Sequence, residues 1–457
     1  MFDIAYLPTE IIDLIAIYAE RDDLKALRLT NSFFLNATTK VLYKEIHISQ
    51  NSRSFDRAFE VAESPKLHSL VKSLVYHLGT LGEVYSGFEA FRHEYYSTRR
   101  RPNSSDVYDP TKITADVLWC YSCWLEEIDG ENTFSSIRDE AYELRRLCEQ
   151  LPHLDSIATV LDDVDPFSEP TDYIGKRTGM HLSNFTNDIH FARLFAASSE
   201  KPLHKVSGRS ISWRDLRTLQ LNQSVALKQR LGQLKFLELG LYNAENEHDT
   251  VSWEEEKRLT QIEALDALGA VLDSAKFLTT LKLDFVELPY ESAVDEMLPV
   301  SRTIFRHHWP ILQKLKLEAI CADECELLNF LTAHKASLRE LQLGDIELAN
   351  SLETRASVLR LFNGVRKSLR LRTCTITGNF TNRLDQAWYV DTECEQPECI
   401  REQLEIYMCN SSSRAATNEL TSLYARRWVE NSELELEFEN FCDESWQWCP
   451  ELLEEAD

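Results

Sequence analysis

The sequence predicts an α/β chain with parallel strands inside and helices outside, preceded by three short helices. Three observations carry that expectation. A Leu-x-x-Leu-x-Leu pattern recurs five times within residues 216–343. Amphipathic, helix-length stretches separate its later copies. The first fifty residues instead show three short runs at helical spacing.

At the N-terminus, Leu7-Pro8-Thr9-Glu10 opens a helix in which Pro8 takes the first turn, where a missing N–H costs nothing. Ile11, Ile12, Ile15 and Tyr18 follow at helical spacing. Asp22 and Asp23 cap a second helix carrying Leu24, Leu27 and Leu29, and the helix dipole favours them there. Phe33, Phe34, Ala37 and Val41 mark a third helix, and Glu45-Ile46-His47-Ile48 alternates as a strand does. Units below ~40 residues normally need a partner, a metal or another domain to be stable. The aliphatic surplus of this segment therefore either packs on the rest of the chain or forms a docking face.

The run Leu7-Pro8-x-Glu10-Ile11-Ile12-x-x-Ile15, with Asp23-Leu24-x-x-Leu27-Arg28-Leu29 and Asn31-x-x-Phe34, resembles an F-box in its fungal variant. Val41–Ile48 is similar to that variant's strand entry, so the resemblance covers residues 5–48. Thr30 stands where an apolar residue is usual, and Ala19-Glu20-Arg21 replaces the commoner Leu/Pro-containing turn. The resemblance implies an F-box over 1–48 that docks the Skp-type adaptor of an SCF-type cullin–RING ubiquitin ligase. By the family's pattern, Leu7, Pro8, Ile11, Ile12, Ile15, Leu24 and Leu27 would make that contact.

Residues 49–150 read as a mainly helical connecting region with an exposed loop near 97–110. Arg99-Arg100-Arg101 in that loop is read as solvated rather than as a targeting patch.

Irregular repeats are expected over 151–378. The leucine pattern falls at 216/219/221, 234/237/239, 278/281/283, 312/315/317 and 338/341/343. Helices at Glu254–Phe277 and Asp323–Lys335 lie between the later copies, which gives the strand–helix alternation of a leucine-rich repeat. The Asn or Cys usual after the third leucine is missing: Ser224, Tyr242, Val286, Ile320 and Ile346 hold the slot, so the turns must be satisfied differently. Leu151–Leu154 and Lys367–Leu371 read as further, weaker copies, and Cys321–Leu348 again resembles the fungal F-box family. With the leucines inward, the alternate residues line the opposite face. The target-binding candidates are Gln220, Phe236, Glu238, Lys282, Lys314, Lys316, Glu340 and Gln342. Those strand positions hold lysines and acids but no arginine, and phosphate recognition favours Arg clusters. A protein-reading face is expected, and not a phosphopeptide receptor.

Catalytic and cofactor motifs are absent. There is no G-x-S-x-G, H-E-x-x-H or G-x-G-x-x-G, and Phe88-Glu89 follows Gly87 where a phosphate loop needs Lys-Ser/Thr. Cys120-x-x-Cys123 has no second pair at zinc spacing, Cys394/Cys399/Cys409 form no complete set, and Asp162-Asp163-x-Asp165 lacks the glycine and final Glu of a calcium loop. No metal, no cofactor and a non-catalytic subunit are expected.

The 457 residues carry 49 Lys+Arg against 75 Asp+Glu, a net charge of −26. That argues against nucleic acid, where cations must displace counterions from phosphates, and against an anionic membrane surface. Most of the eleven cysteines read as reduced, buried thiols, no apolar run reaches ~18 residues, and Met1-Phe2-Asp3 opens no signal peptide, so cytoplasm or nucleus is expected. Residues 391–457 hold 18 acids and 4 bases, a net −14, leaving −12 for the other 390. The segment 379–457 either caps the repeats through the alternating strand Glu433–Glu439 and its tryptophans, or docks a basic partner.

Overall fold

A computed structural model describes residues 7–30, 32–78, 87–97, 113–137, 139–160, 189–219, 230–242, 252–285, 303–349, 358–382, 386–389, 400–409, 424–428 and 446–450. The chain divides into two compact units, Met1–Gly208 and Arg209–Asp457.

The first unit opens with α1 (Thr9–Tyr18), α2 (Arg21–Thr30) and α3 (Ser32–Leu42). Pro8 occupies the N-cap of α1, and Asp22 and Asp23 lie inside the first turn of α2 rather than before it. Ile12, Ala16, Leu24, Phe34 and Ala37 form the buried core of this trio, with Leu27, Val41 and Leu42 packed at its margin.

Four strands follow: β1 (Glu45–Ser49), β2 (Ser73–His77), β3 (Ser156–Val160) and β4 (Lys205–Ser212), the last running past the unit's end at Gly208. They pair in parallel as β1-β2-β3-β4. Ile46, Leu74, Ile157 and Val206 align in one register row, and all four are buried. The helices are α4 (Ser52–Glu63), α5 (Phe88–Ser97), α6 (Ala115–Ile137), α7 (Glu140–Gln150) and α8 (His190–Ala197), with α4 packed on β1 and α8 on β3. The stretch expected to be a helical connector thus contains β2 in addition to its helices.

In the second unit, β5 (Phe236–Tyr242), β6 (Thr280–Asp284), β7 (Lys314–Asp323), β8 (Glu340–Ala349) and β9 (Thr373–Asn382) are parallel neighbours in that order. Leu237, Leu281, Leu315, Leu341 and Cys374 stack in one buried row; Leu239, Leu283, Leu317, Leu343 and Ile376 stack in the next. The helices are α9 (Trp213–Thr218), α10 (Ser252–Ser274), α11 (Glu324–Ala333), α12 (Val358–Ser368) and α13 (Ile400–Cys409). Beyond β9, strands β10 (Gln386–Tyr389), β11 (Tyr424–Trp428) and β12 (Trp446–Pro450) continue antiparallel.

One hydrogen bond recurs at the strand entries. Ser73 N–H donates to the Lys44 carbonyl at 3.1 Å, Ser156 to Lys72 at 3.0 Å, and Lys205 to Asp155 at 3.3 Å. In the second unit Thr280 donates to Lys235 at 3.0 Å, Lys314 to Thr279 at 3.0 Å, Glu340 to Gln313 at 2.9 Å and Thr373 to Arg339 at 3.3 Å. Both units therefore stack strands by the same geometry, and that geometry begins at β1.

One expectation is corrected. Leu216 and Leu219 do not begin a strand: Ser212 caps α9 by accepting from Asp215 N–H at 3.0 Å, and Leu216 is buried on that helix. A Leu-x-x-Leu spacing serves a helix as well as a repeat, and here the cap decides. Thr218 consequently bonds the Arg214 carbonyl at 2.8 Å, as a helical residue does. Leu221, Gln220, Ser224, Val286, Arg99–Arg101, Asp162–Asp165, Cys394, Cys399 and Glu433–Glu439 lie outside the described residues.

The turns that lack the usual Asn or Cys take another form. Ala319 (φ 53°), Asp345 (φ 47°) and Gly378 (φ 67°) take left-handed backbone at corresponding points of β7, β8 and β9. Past this kink the strands resume pairing, and Ile320, Ile346 and Phe380 are buried side by side. Of the slots without Asn or Cys, Ile320 and Ile346 are thus apolar core positions. Between β8 and β9 the register shifts at a bulge, and a Cβ on Gly378 would collide with the Asp345 carboxyl.

Candidate interaction surfaces

The adaptor-contact candidates divide between the two sides of the helical trio. On α1, Ile11, Leu14, Ile15 and Tyr18 recur at the spacing of one helical stripe, and all are exposed, as is Leu7 just before the helix. Pro8 is exposed beside them. Ile12 faces the other way: it is 4% exposed against 41% for Ile11. Leu24 is equally buried, and Leu27 half-buried. Ile12 and Leu24 therefore hold the trio together and offer no free surface, because the heptad-like run of isoleucines spans both faces of α1. Leu29, Phe33 and Leu35, which were not candidates, add exposed apolar area on α2 and α3.

The target-binding candidates, Gln220 apart, lie on the strand face opposite the leucines. Register gives one row of Phe236, Thr280, Lys314, Glu340 and Thr373, and a second of Glu238, Lys282, Lys316, Gln342 and Thr375. A third holds Gly240, Asp284, Glu318, Gly344 and Thr377. Their charges pair across strands. Lys282 Nζ lies 3.5 Å from Glu238 Oε1 and 5.5 Å from the Phe236 ring centre. Lys314 Nζ lies 2.7 Å from Glu340 Oε2. Lys316 Nζ lies 3.1 Å from Asp284 Oδ2 and pairs with Glu318 as well. Burial works against the Lys316 ammonium, but Glu318 and Asp284 outweigh it and raise its pKa. Burial and the Asp284 charge push the Glu318 carboxyl up, against the pull of Lys316. Every lysine candidate is thus already matched by an acid, which removes the surplus positive charge that a phosphate group would need.

The first unit holds polar structure that spacing did not reveal. Glu140, in the first turn of α7, accepts from Tyr76 OH at 2.6 Å and His190 Nδ1 at 2.7 Å, and pairs with Arg193. Burial alone would raise its pKa; His190, Tyr76 and Arg193 reverse that and hold the carboxyl below its usual range. Asn51 caps α4 through Arg53 N–H at 2.9 Å and donates to the Glu127 carboxylate at 2.7 Å. Gly130 permits this close approach, since a Cβ there would strike the Asn51 amide. Cys120 and Cys123 are buried on α6, Cys120 and Trp124 packing against Phe91 and Tyr95.

Among the described residues, no three His, Cys, Asp or Glu side chains cluster as a metal site, and no helix is long and apolar enough to cross a membrane. No protein-family model matches the chain, and no curated protein matches it. Among solved structures it is similar to the leucine-rich repeat-containing protein LegL7 from Legionella pneumophila. The identity is 10% and the TM-score 0.23, over 81% of this chain and 98% of that one.

Proposed function

We propose that this chain is the substrate-recognition subunit of an SCF-type cullin–RING ubiquitin ligase, an F-box followed by an irregular leucine-rich-repeat solenoid. The F-box docks a Skp-type adaptor, and the adaptor brings cullin and RING subunits. The repeats bind a target protein for ubiquitination and degradation, and the work is done in cytoplasm or nucleus. The chain itself is non-catalytic; its contribution to rate is proximity, holding a target lysine near a charged ubiquitin carrier.

The observation that carries this reading is the two-sided apolar character of α1. Its inner side is satisfied by Ile12 and Ala16, while Ile11, Leu14 and Ile15 stay exposed in a stripe, with Leu7 exposed just before the helix. Helices apolar on all sides are normally buried, so the exposed stripe is explained by a partner. The F-box resemblance names the adaptor as that partner. The paired charges on the second unit's strand face support a protein target of mixed charge rather than an anionic one.

Co-expression with the adaptor tests it. The wild-type chain should co-purify with the adaptor. A Leu7→Glu/Ile11→Glu/Ile15→Glu variant should lose the adaptor and keep its melting temperature. Leu24→Ala should instead cost about 2–5 kcal/mol of stability, as a buried truncation does. A chain that never captures adaptor, and whose stability falls with the three surface changes, is a repeat scaffold. A stable adaptor complex that transfers no ubiquitin when reconstituted is a non-ligase F-box interaction protein.

A further inference from the structure

His47 and His77 stand on neighbouring parallel strands of the first unit, where register sets Ser49 opposite His77. Both project from the face opposite the buried Ile46, Ile48, Leu74 and Tyr76. His47 Nδ1 lies 2.8 Å from His77 Nε2, with ring centres 5.1 Å apart and planes inclined by 30°. On its other nitrogen, His47 Nε2 lies 2.9 Å from Glu45 Oε1.

We propose that His47 and His77 form a binding site for a divalent transition metal of the zinc class, with Glu45 orienting His47 from behind. The argument is one of tautomer and geometry. Glu45 accepts a hydrogen bond from His47 Nε2–H, which leaves the Nδ1 lone pair directed at His77. Metal-bound histidines characteristically give their second ring N–H to a carboxylate in this way. Two ligands at about 2.0–2.1 Å from a tetrahedral ion lie about 3.3 Å apart, so opening the pair by about 0.5 Å admits the metal as His77 moves its ring proton from Nε2 to Nδ1. Neutral imidazole suits zinc, nickel and copper rather than calcium or magnesium. His47 is 32% exposed, so water reaches the remaining coordination positions. With two protein ligands the site is exchangeable, unlike a closed structural zinc centre.

Zinc chloride titrated into the full reduced chain, followed by calorimetry and by 15N spectra of labelled histidine, tests this. The cysteines also take zinc, so the readout is the difference between the wild type and the histidine variants. One zinc event should vanish in His47→Ala and in His77→Gln, while both variants keep the wild-type circular dichroism and melting profile. Glu45→Gln should weaken that event about 10–100-fold. In the wild type, zinc should shift the Nδ1 of His47 and the Nε2 of His77. Identical isotherms for wild type, His47→Ala and His77→Gln, or ring nitrogens unmoved by zinc, would overturn the proposal.

Discussion

His334 carries a structural task that its residue type alone does not announce. Only 1% exposed, it accepts from Trp309 N–H through Nε2 at 3.0 Å and donates from Nδ1 to the Phe330 carbonyl at 2.9 Å. Burial lowers its pKa, against the pull of the Phe330 carbonyl, and His308 lowers it further. A proton on Nε2 would also break the Trp309 bond. The unfolded chain binds that proton at about pH 6.5, whereas the folded chain resists it. The stabilising contribution is therefore complete above about pH 6.5 and is lost as pH falls through the lower folded value. Urea unfolding midpoints measured from pH 7.5 to pH 5 should drop more for the wild type than for His334→Gln. His334→Ala should cost about 1–3 kcal/mol at pH 7.5, because it leaves the Trp309 N–H buried without an acceptor. A wild type and His334→Gln with the same pH slope would refute the assignment.

At the scale of elements, β1 decides where the repeats begin. The resemblance runs through Ile48, which draws the eye to a boundary there. Yet β1 pairs with β2 over all five residues, and Lys44 accepts the entry bond from Ser73. Ile46 and Ile48 are buried, worth about 1.5–3 kcal/mol each. A chain starting at Lys44 should therefore fold, with an unchanged melting temperature for the body of the protein. A chain starting at Asn51 loses β1 and leaves the β2 edge open to other chains. It should melt lower and aggregate on size-exclusion chromatography. Equal behaviour of the two truncations would show that β1 belongs with the helices before it. The repeats of the first unit escaped pattern reading for a related reason. Ile46, Ile157 and Val206 fill the stacked row that leucines fill in the second unit, so the row is intact while the leucine motif is not.

For the whole molecule, the separation of tasks gives the next expectation. If the helical trio docks the adaptor and the strands read the target, the two sets of partners are independent. Affinity purification and mass spectrometry with the intact chain should recover adaptor, cullin and target. The chain starting at Lys44 should recover the target alone. Loss of every partner from that chain would tie target binding to the first 43 residues. The charge of −26 is consistent with protein rather than nucleic-acid partners, and its −14 concentration sits in 391–457. From that stretch, α13 packs on β9, while β11 and β12 continue the sheet antiparallel beyond β10.

The sequence by itself determined the α/β alternation, the three opening helices and the leucine rows of the second unit. Each of these is written in local periodicity, which one stretch of chain specifies alone. Tertiary structure decided what depends on partners distant in sequence. It separated Ile11 from Ile12 by burial and turned the Leu216 copy into a capped helix. It filled the Ile320 and Ile346 slots with core, and matched each strand-face lysine to an acid one strand away. It also set His47 beside His77, thirty residues apart, because parallel register brings together positions that no spacing rule connects.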